Sequence, residues 1–446
     1  MFKNLLSRTI FTLPICTLLW LGVCSHALAD DWPQWLGPKR DSVWRESGIL
    51  RKFPEVGPNV KWRVDIHGGY AGPAVADGRI YLGDYQKSPE QTPPEKDKKQ
   101  LIQGVERVAC FSESDGKLLW EHKYDCAYGI DYPAGPRVTP TVDGNKVYAL
   151  GAEGNLVCLE AKSGAKVWSR DFRKDFHAKT ATWGHTAHPL VDGDRLFCLV
   201  GGEGSVAVAF DKHTGRELWR ALSAPEPGYC PPTMIKAGGR NQLIIWHPES
   251  VNSLDPKSGA VYWSVPLKPQ YKMSIAVPRQ LGDHLFVGGH TDQCVLIKLG
   301  KTEPTAEEVW RGAHNKGLGP INSTPFLEDG YLYGVDRQGQ LRCVELKTGK
   351  HVWTSFAVIP GDRPLGCGTA FLVKNEDRFF IANETGDLII AKLSPEGYEE
   401  ISRFHMLEPT GTAFGRKVLW SHPAFANRCV YARNDKELVC ISLAEG

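Results

Sequence analysis

Short apolar runs broken by glycine turns recur along most of the chain, and none carries the 3.6-residue period of an amphipathic helix. Four stretches share one form: Pro73 to Tyr81, Pro140 to Tyr148, Pro189 to Phe197 and Pro325 to Tyr333 each place Asp-Gly between two apolar runs. Asp-Gly in that setting is a strong hairpin signal, because glycine accepts the positive φ of a tight turn. A third run follows, as in Leu156 to Leu159 and Leu341 to Val344. Next comes an acid, two spacers, Ser or Thr, Gly, three spacers and Trp. Glu160 to Trp168, Asp211 to Trp219, Asp255 to Trp263 and Glu345 to Trp353 have this form, and Ser112 to Trp120 is a looser copy. One unit is therefore four short antiparallel strands repeated at roughly 40–50 residues, which is the blade of an all-β propeller.

Tryptophans that end a unit stand at positions 62, 120, 168, 219, 263, 310 and 353. The unit ending at Trp310 lacks the Thr-Gly turn. A later unit, from Thr369 through Gly386, has Ile401 where Trp is expected. The last begins at Trp420-Ser421-His422-Pro423 and stops after its third run, Leu438 to Ile441, while Val60 to Val64 has a fourth-strand pattern with no blade before it. The sequence predicts that this N-terminal strand completes the C-terminal blade and closes an eight-bladed ring, which removes exposed sheet edges.

Residues 1–29 read as a cleaved signal peptide: Lys3 and Arg8 lead, Ile10 to Val23 is apolar, and Ala27-Leu28-Ala29 is a small-residue cleavage site. The apolar run is short for a membrane span. The organisation expected is signal peptide 1–29, N-terminal extension 30–58 and one propeller domain 59–446, in a secreted or periplasmic monomer. Of 53 basic residues two leave with the signal, which balances the 51 acidic ones. No basic stripe is present, so nucleic acid is a poor partner. Cys110, Cys158, Cys343 and Cys440 fall at equivalent third-strand positions, and Cys198 and Cys429 on second strands, as small buried apolar residues. Cys126, Cys230 and Cys367 stand outside the repeat, with disulfides among them left open. The absence of CxxC argues against zinc-ribbon and thioredoxin chemistry.

Ala209-Phe210-Asp211 through Trp219 matches Ala-x-Asp-x-x-Thr-Gly-x-x-x-Trp in full. It resembles the tryptophan-docking motif of pyrroloquinoline quinone (PQQ) type propellers, and Asp31-Trp32-Pro33-Gln34-Trp35-Leu36-Gly37-Pro38 is similar to the opening of exported bacterial PQQ-like repeat proteins. The resemblance covers roughly residues 31–443. It implies an eight-bladed propeller. It reaches both quinoprotein dehydrogenases and the non-enzymatic propeller subunit of the outer-membrane β-barrel assembly machine. A dehydrogenase of that kind is implied to need calcium beside PQQ, a catalytic Asp, a Trp platform and usually a pair of adjacent cysteines. This chain has no Cys-Cys pair, and no matching Glu–Asn–Asp set is found in it. Neither PQQ nor calcium, nor any catalytic or metal-binding residue, is therefore expected. WD40 propellers fit poorly, since Asp never follows the terminal Trp.

First strands line a propeller's axis, so residues just before the first-strand Pro should meet at one mouth of the channel. Trp183, His185 and His188 form one such group, and Trp420 and His422 another; Tyr70, Arg137, Tyr229, Lys272 and Asn322 hold comparable places. With Arg137, Lys272 and the imidazoles together, a small anionic ligand is the chemistry they suggest. A transition-metal site on His185, His188 and His422 is weaker, because no carboxylate stands near. The alternative is that all these groups bind channel water and strand ends. The expected function is a non-catalytic binding or scaffold propeller with a protein partner or small ligand. The alternative is a quinoprotein-like oxidoreductase with a reduced channel site.

Overall fold

The computed structural model describes residues 1, 30–91, 100–361 and 363–446; residues 2–29 of the expected signal peptide lie outside them, as does part of the charged loop after Lys87. Eight four-stranded antiparallel sheets follow one another around the ring. Blades 1 to 7 span Ala74–Asp125, Thr141–Asp171, Leu190–Ala221, Thr233–Pro266, Arg279–Arg311, Phe326–Ser355 and Ala370–His405. Blade 8 joins Ala424–Ala426, Cys429–Arg433 and Glu437–Ser442 to the N-terminal strand Val60–Asp65, with Trp62 opposite Cys440 and Val64 opposite Leu438. The ring closes as the repeat pattern predicts. A small hairpin, Gly411–Ala413 with Arg416–Val418, stands between blades 7 and 8, and the sequence reading does not anticipate it. Among the described residues no helix is long and apolar enough to cross a membrane.

The repeat motif is a contact between neighbouring blades. The indole N–H of Trp62 donates to Glu113 O, that of Trp120 to Ala161 O, Trp168 to Lys212 O, Trp219 to Pro256 O and Trp310 to Leu346 O, at 2.9–3.2 Å. Each acceptor belongs to the turn between third and fourth strands of the next blade. The glycine of that turn lies under the ring. A Cβ on Gly164 would come within 2.4 Å of Trp120, one on Gly215 within 2.6 Å of Trp168, and one on Gly259 within 2.6 Å of Trp219. All three glycines also hold φ near +70°, where a side chain is strained.

The two irregular blades follow from the same contact. Blade 5 lacks the Thr-Gly turn, so Trp263 turns its N–H back to Gln242 Oε1 in its own sheet, at 2.9 Å. Blade 8 has no covalent turn into its fourth strand, because that strand comes from the other end of the chain. Blade 7 accordingly carries Ile401 in place of Trp. Across the third and fourth strands Trp pairs with a small residue, as in Cys110–Trp120, Cys158–Trp168 and Cys343–Trp353, with a one-residue bulge beside each. Those cysteines are free and buried, and Cys126, Cys230 and Cys367 are also free thiols.

The extension is a strap across the inner strands. Trp32 exchanges both backbone bonds with Val75 in blade 1, and Pro33 O accepts from Val142 N in blade 2. Arg40 donates to Pro189 O in blade 3 at 2.8 Å. Arg279 of blade 5 donates to Arg40 O at 3.2 Å, and Trp44 N donates to Lys374 O of blade 7 at 2.8 Å. The strap leaves over blade 8, where Leu50 N donates to Leu443 O. Trp32 and Trp44 are fully buried against Phe425 and join the core between blades 7, 8 and 1.

Candidate functional site

With the strap across the inner strands, the axial channel holds a cavity of about 830 Å³ lined mainly by the connectors that enter first strands. Eight of the ten residues named from sequence line it: Tyr70, Arg137, Trp183, His188, Tyr229, Asn322, Trp420 and His422. Two do not. His185 is buried against Phe172, with ring centroids 5.4 Å apart, and its backbone N–H donates to Ala152 O, so the ring packs beside blade 2. Burial holds its pKa down to about 4. Lys272 is exposed, and its Nζ pairs with Glu226 Oε1 at 2.7 Å away from the cavity lining.

The other expected cation commits three of its five N–H donors to backbone carbonyls. The Arg137 guanidinium lies over the Tyr70 ring at 5.2 Å and donates to the carbonyls of Gly135, Asp131 and Tyr132, clasping its own connector. Burial lowers its pKa, and burial also pushes the Tyr70 phenol up to about 12. A ligand-binding role for Arg137 with Lys272 as paired anion hooks is therefore not what the geometry presents.

Sequence reasoning missed the strap's part in the cavity. Trp35 lines it and stacks on His188, with centroids 4.5 Å apart and planes 13° from parallel; His422 stands 6.3 Å away at an edge. Nothing in the repeat pattern marks Trp35, since it precedes the first blade. Tyr132, Tyr271, Phe371 and Phe414 add further aromatic surface, and Tyr132 packs edge-on to Trp420 at 5.7 Å. Arg337, from the turn between second and third strands of blade 6, is the one lining cation whose side chain has no hydrogen-bond or ion-pair partner among the described residues.

Burial keeps both cavity imidazoles neutral: His422 falls to about 4, and His188 lies well below its ordinary value, with Arg40 and His422 adding to the effect. His422 Nδ1 faces Pro423 O at 2.8 Å, and a carbonyl can only accept, so the ring proton sits on Nδ1. Among the described residues no group of three His, Cys, Asp or Glu side chains comes together to hold a metal ion. PQQ is a tricarboxylated quinone, so a site for it needs donors and cations. The cavity supplies mostly aromatic faces, with Arg337 as its one unpaired cation against three carboxylates, and does not fit that group.

A family described as outer membrane protein assembly factor BamB matches residues 104–355 and again 247–446. The outer membrane protein assembly factor BamB of Yersinia pestis is 22% identical over 265 residues, which are 56% of this chain and 64% of that protein. The chain thus spans less than two thirds of that relative. Its backbone is similar to BamB from Moraxella catarrhalis, with TM-score 0.57, 14% identity and coverage of 87% and 98% of the two chains. It is also similar to quinohemoprotein alcohol dehydrogenase from Comamonas testosteroni, with TM-score 0.60, 13% identity and coverage of 93% and 81%. At those identities the two structures speak for the fold alone.

Proposed function

Because the chain belongs to the family described as outer membrane protein assembly factor BamB, we propose that it is a non-catalytic, protein-binding propeller that works as an accessory in outer-membrane protein assembly. The family match, which runs from the third strand of blade 1 through blades 2 to 7 and the three C-terminal strands of blade 8, is the observation that carries this reading. The setting proposed is the periplasm, reached through the signal peptide, with the ring acting as a single chain and without a quinone cofactor. Its rigidity suits the role. The N-terminal strand completes blade 8 and closes the ring, and a closed ring presents its loops to a partner with little ordering entropy to lose. The oxidoreductase alternative draws support from a shared fold and from a 30% identity to quinohemoprotein alcohol dehydrogenase ADH-IIG of Pseudomonas putida that covers 34% of this chain and 22% of that protein, and the cavity's groups do not suit PQQ.

Deleting the protein from its source cell tests the proposal. Folded β-barrel proteins in the outer membrane should decline, and crosslinking of the tagged full chain should co-purify a subunit of the barrel-assembly machine. Unchanged barrel levels with no such crosslink would overturn it.

A further inference from the structure

Among the cavity's open hydrogen-bonding groups, three acceptors are fixed by the protein itself, beside the unpaired Arg337 guanidinium and the unpartnered Tyr229 hydroxyl. His422, nine-tenths buried, donates from Nδ1 to Pro423 O, which leaves Nε2 a lone pair with no protein partner. Thr186 donates its hydroxyl to Tyr229 O at 3.3 Å, so its oxygen is left as an acceptor. Thr369 donates to Cys367 O at 3.1 Å and must therefore accept from Asn322 Nδ2 at 3.0 Å. That chain fixes the amide and leaves Asn322 Oδ1 open. Each assignment ends on a backbone carbonyl, which cannot donate. Three connectors, before blades 3, 6 and 8, thus bring acceptors to one cavity.

What answers such a mixture is a ligand whose groups both donate and accept, as hydroxyls do. Quinones, carboxylates and phosphates offer acceptors, which Arg337 could meet but which would leave the lone pairs of Thr186, Asn322 and His422 unmatched. The walls add broad aromatic faces from Trp35, Trp183, Trp420 and Tyr132. The charged lining residues are Asp131, Arg337 and Arg137, the last held on the carbonyls of its own connector. A ring with apolar C–H faces and a rim of hydroxyls meets the aromatic walls and the mixed polar groups together. The volume of about 830 Å³ falls within the range of pockets that enclose small organic ligands, about 300–1,000 Å³.

We propose that the axial cavity is a binding site for a neutral saccharide of one or two rings, held between indole faces and hydrogen-bonded through its hydroxyls to Thr186, Asn322 and His422. The site stands independently of the scaffold reading, since a sugar can occupy it whether or not a protein partner docks on the rim.

Tryptophan fluorescence and calorimetry on the mature protein with maltose, cellobiose, lactose and diacetylchitobiose test this. At least one should bind saturably in the millimolar range or tighter, with equal affinity at low and high salt. Trp183→Ala, Trp420→Ala and Asn322→Leu should each weaken that sugar about tenfold, a typical effect of one lost stacking face or hydrogen bond. Thr186→Val should do the same, and Thr186→Ser should restore binding, because serine keeps the acceptor. That rescue separates a ligand contact from a folding defect, which circular dichroism checks in each variant. No binding by any of the four sugars would overturn the proposal. So would tighter, salt-dependent binding of citrate or PQQ, or preferential binding of adenosine as a planar aromatic probe.

Discussion

Replacing Gly215 by alanine separates two demands that the repeat makes on one residue. Gly215 holds φ +69°, and a Cβ there would sit 2.6 Å from Cδ2 and Cε3 of Trp168. Gly144 supplies the control, with φ +56° and nothing within 4 Å of its Cβ position. Gly144→Ala therefore carries only the left-handed strain, about 1–2 kcal/mol. Gly215→Ala carries that strain plus overpacking against a docked indole, about 1–3 kcal/mol more. Trp168→Ala removes the ring and its bond to Lys212 O, at about 3–5 kcal/mol. Once the ring is gone the new methyl meets no obstacle, so the double variant should cost less than the two singles together, by about 1–3 kcal/mol. Urea unfolding of the four variants followed by fluorescence and circular dichroism gives these differences. Equal costs for Gly144→Ala and Gly215→Ala, or strict additivity in the cycle, would refute the docking account of the motif.

Deleting residues 60–64 should open the ring between blades 8 and 1 and lower the melting temperature by more than about 5 °C, read by calorimetry. Adding PQQ and calcium should give no dye-linked oxidation of alcohols or aldoses, and turnover abolished by a chelator would contradict that. His185 and His422 have folded pKa values of about 4, below the unfolded value near 6.5. A depressed folded value means that their contribution is fully present above about pH 6.5 and is lost as pH falls toward 4, by up to about 3 kcal/mol each. Denaturant midpoints for His422→Phe should therefore depend less on pH across that window than those of the parent. Thiol titration of native protein should find Cys367 the most reactive cysteine, since the other free cysteines of the described residues are buried; equal reactivity of Cys110 or Cys158 would contradict the packing.

Most of the ring is legible in the chain because its signals are local. Asp-Gly turns, period-two apolar runs and a Trp at fixed spacing each act within one blade, so the eight blades and the closure by Val60–Asp65 follow from counting. Even the irregular units carry meaning, since the missing Thr-Gly turn of blade 5 and Ile401 of blade 7 mark where the docking contact changes or ends. First-strand placement is also local, which is why eight of ten chosen residues meet around one cavity. The character of that cavity is not local. Whether Arg137 faces a ligand or clasps its own connector depends on which carbonyls the folded loop brings to it. Lys272 is turned out to Glu226, and His185 is drawn beneath blade 2, by packing with no signature in spacing. Trp35 belongs to no repeat, and only the folded strap sets it against His188. Sequence by itself determined the architecture, because strand and turn preferences repeat with short-range periods. Tertiary structure decided the chemistry of the channel, because hydrogen-bond polarity there is set by partners drawn from connectors far apart along the chain.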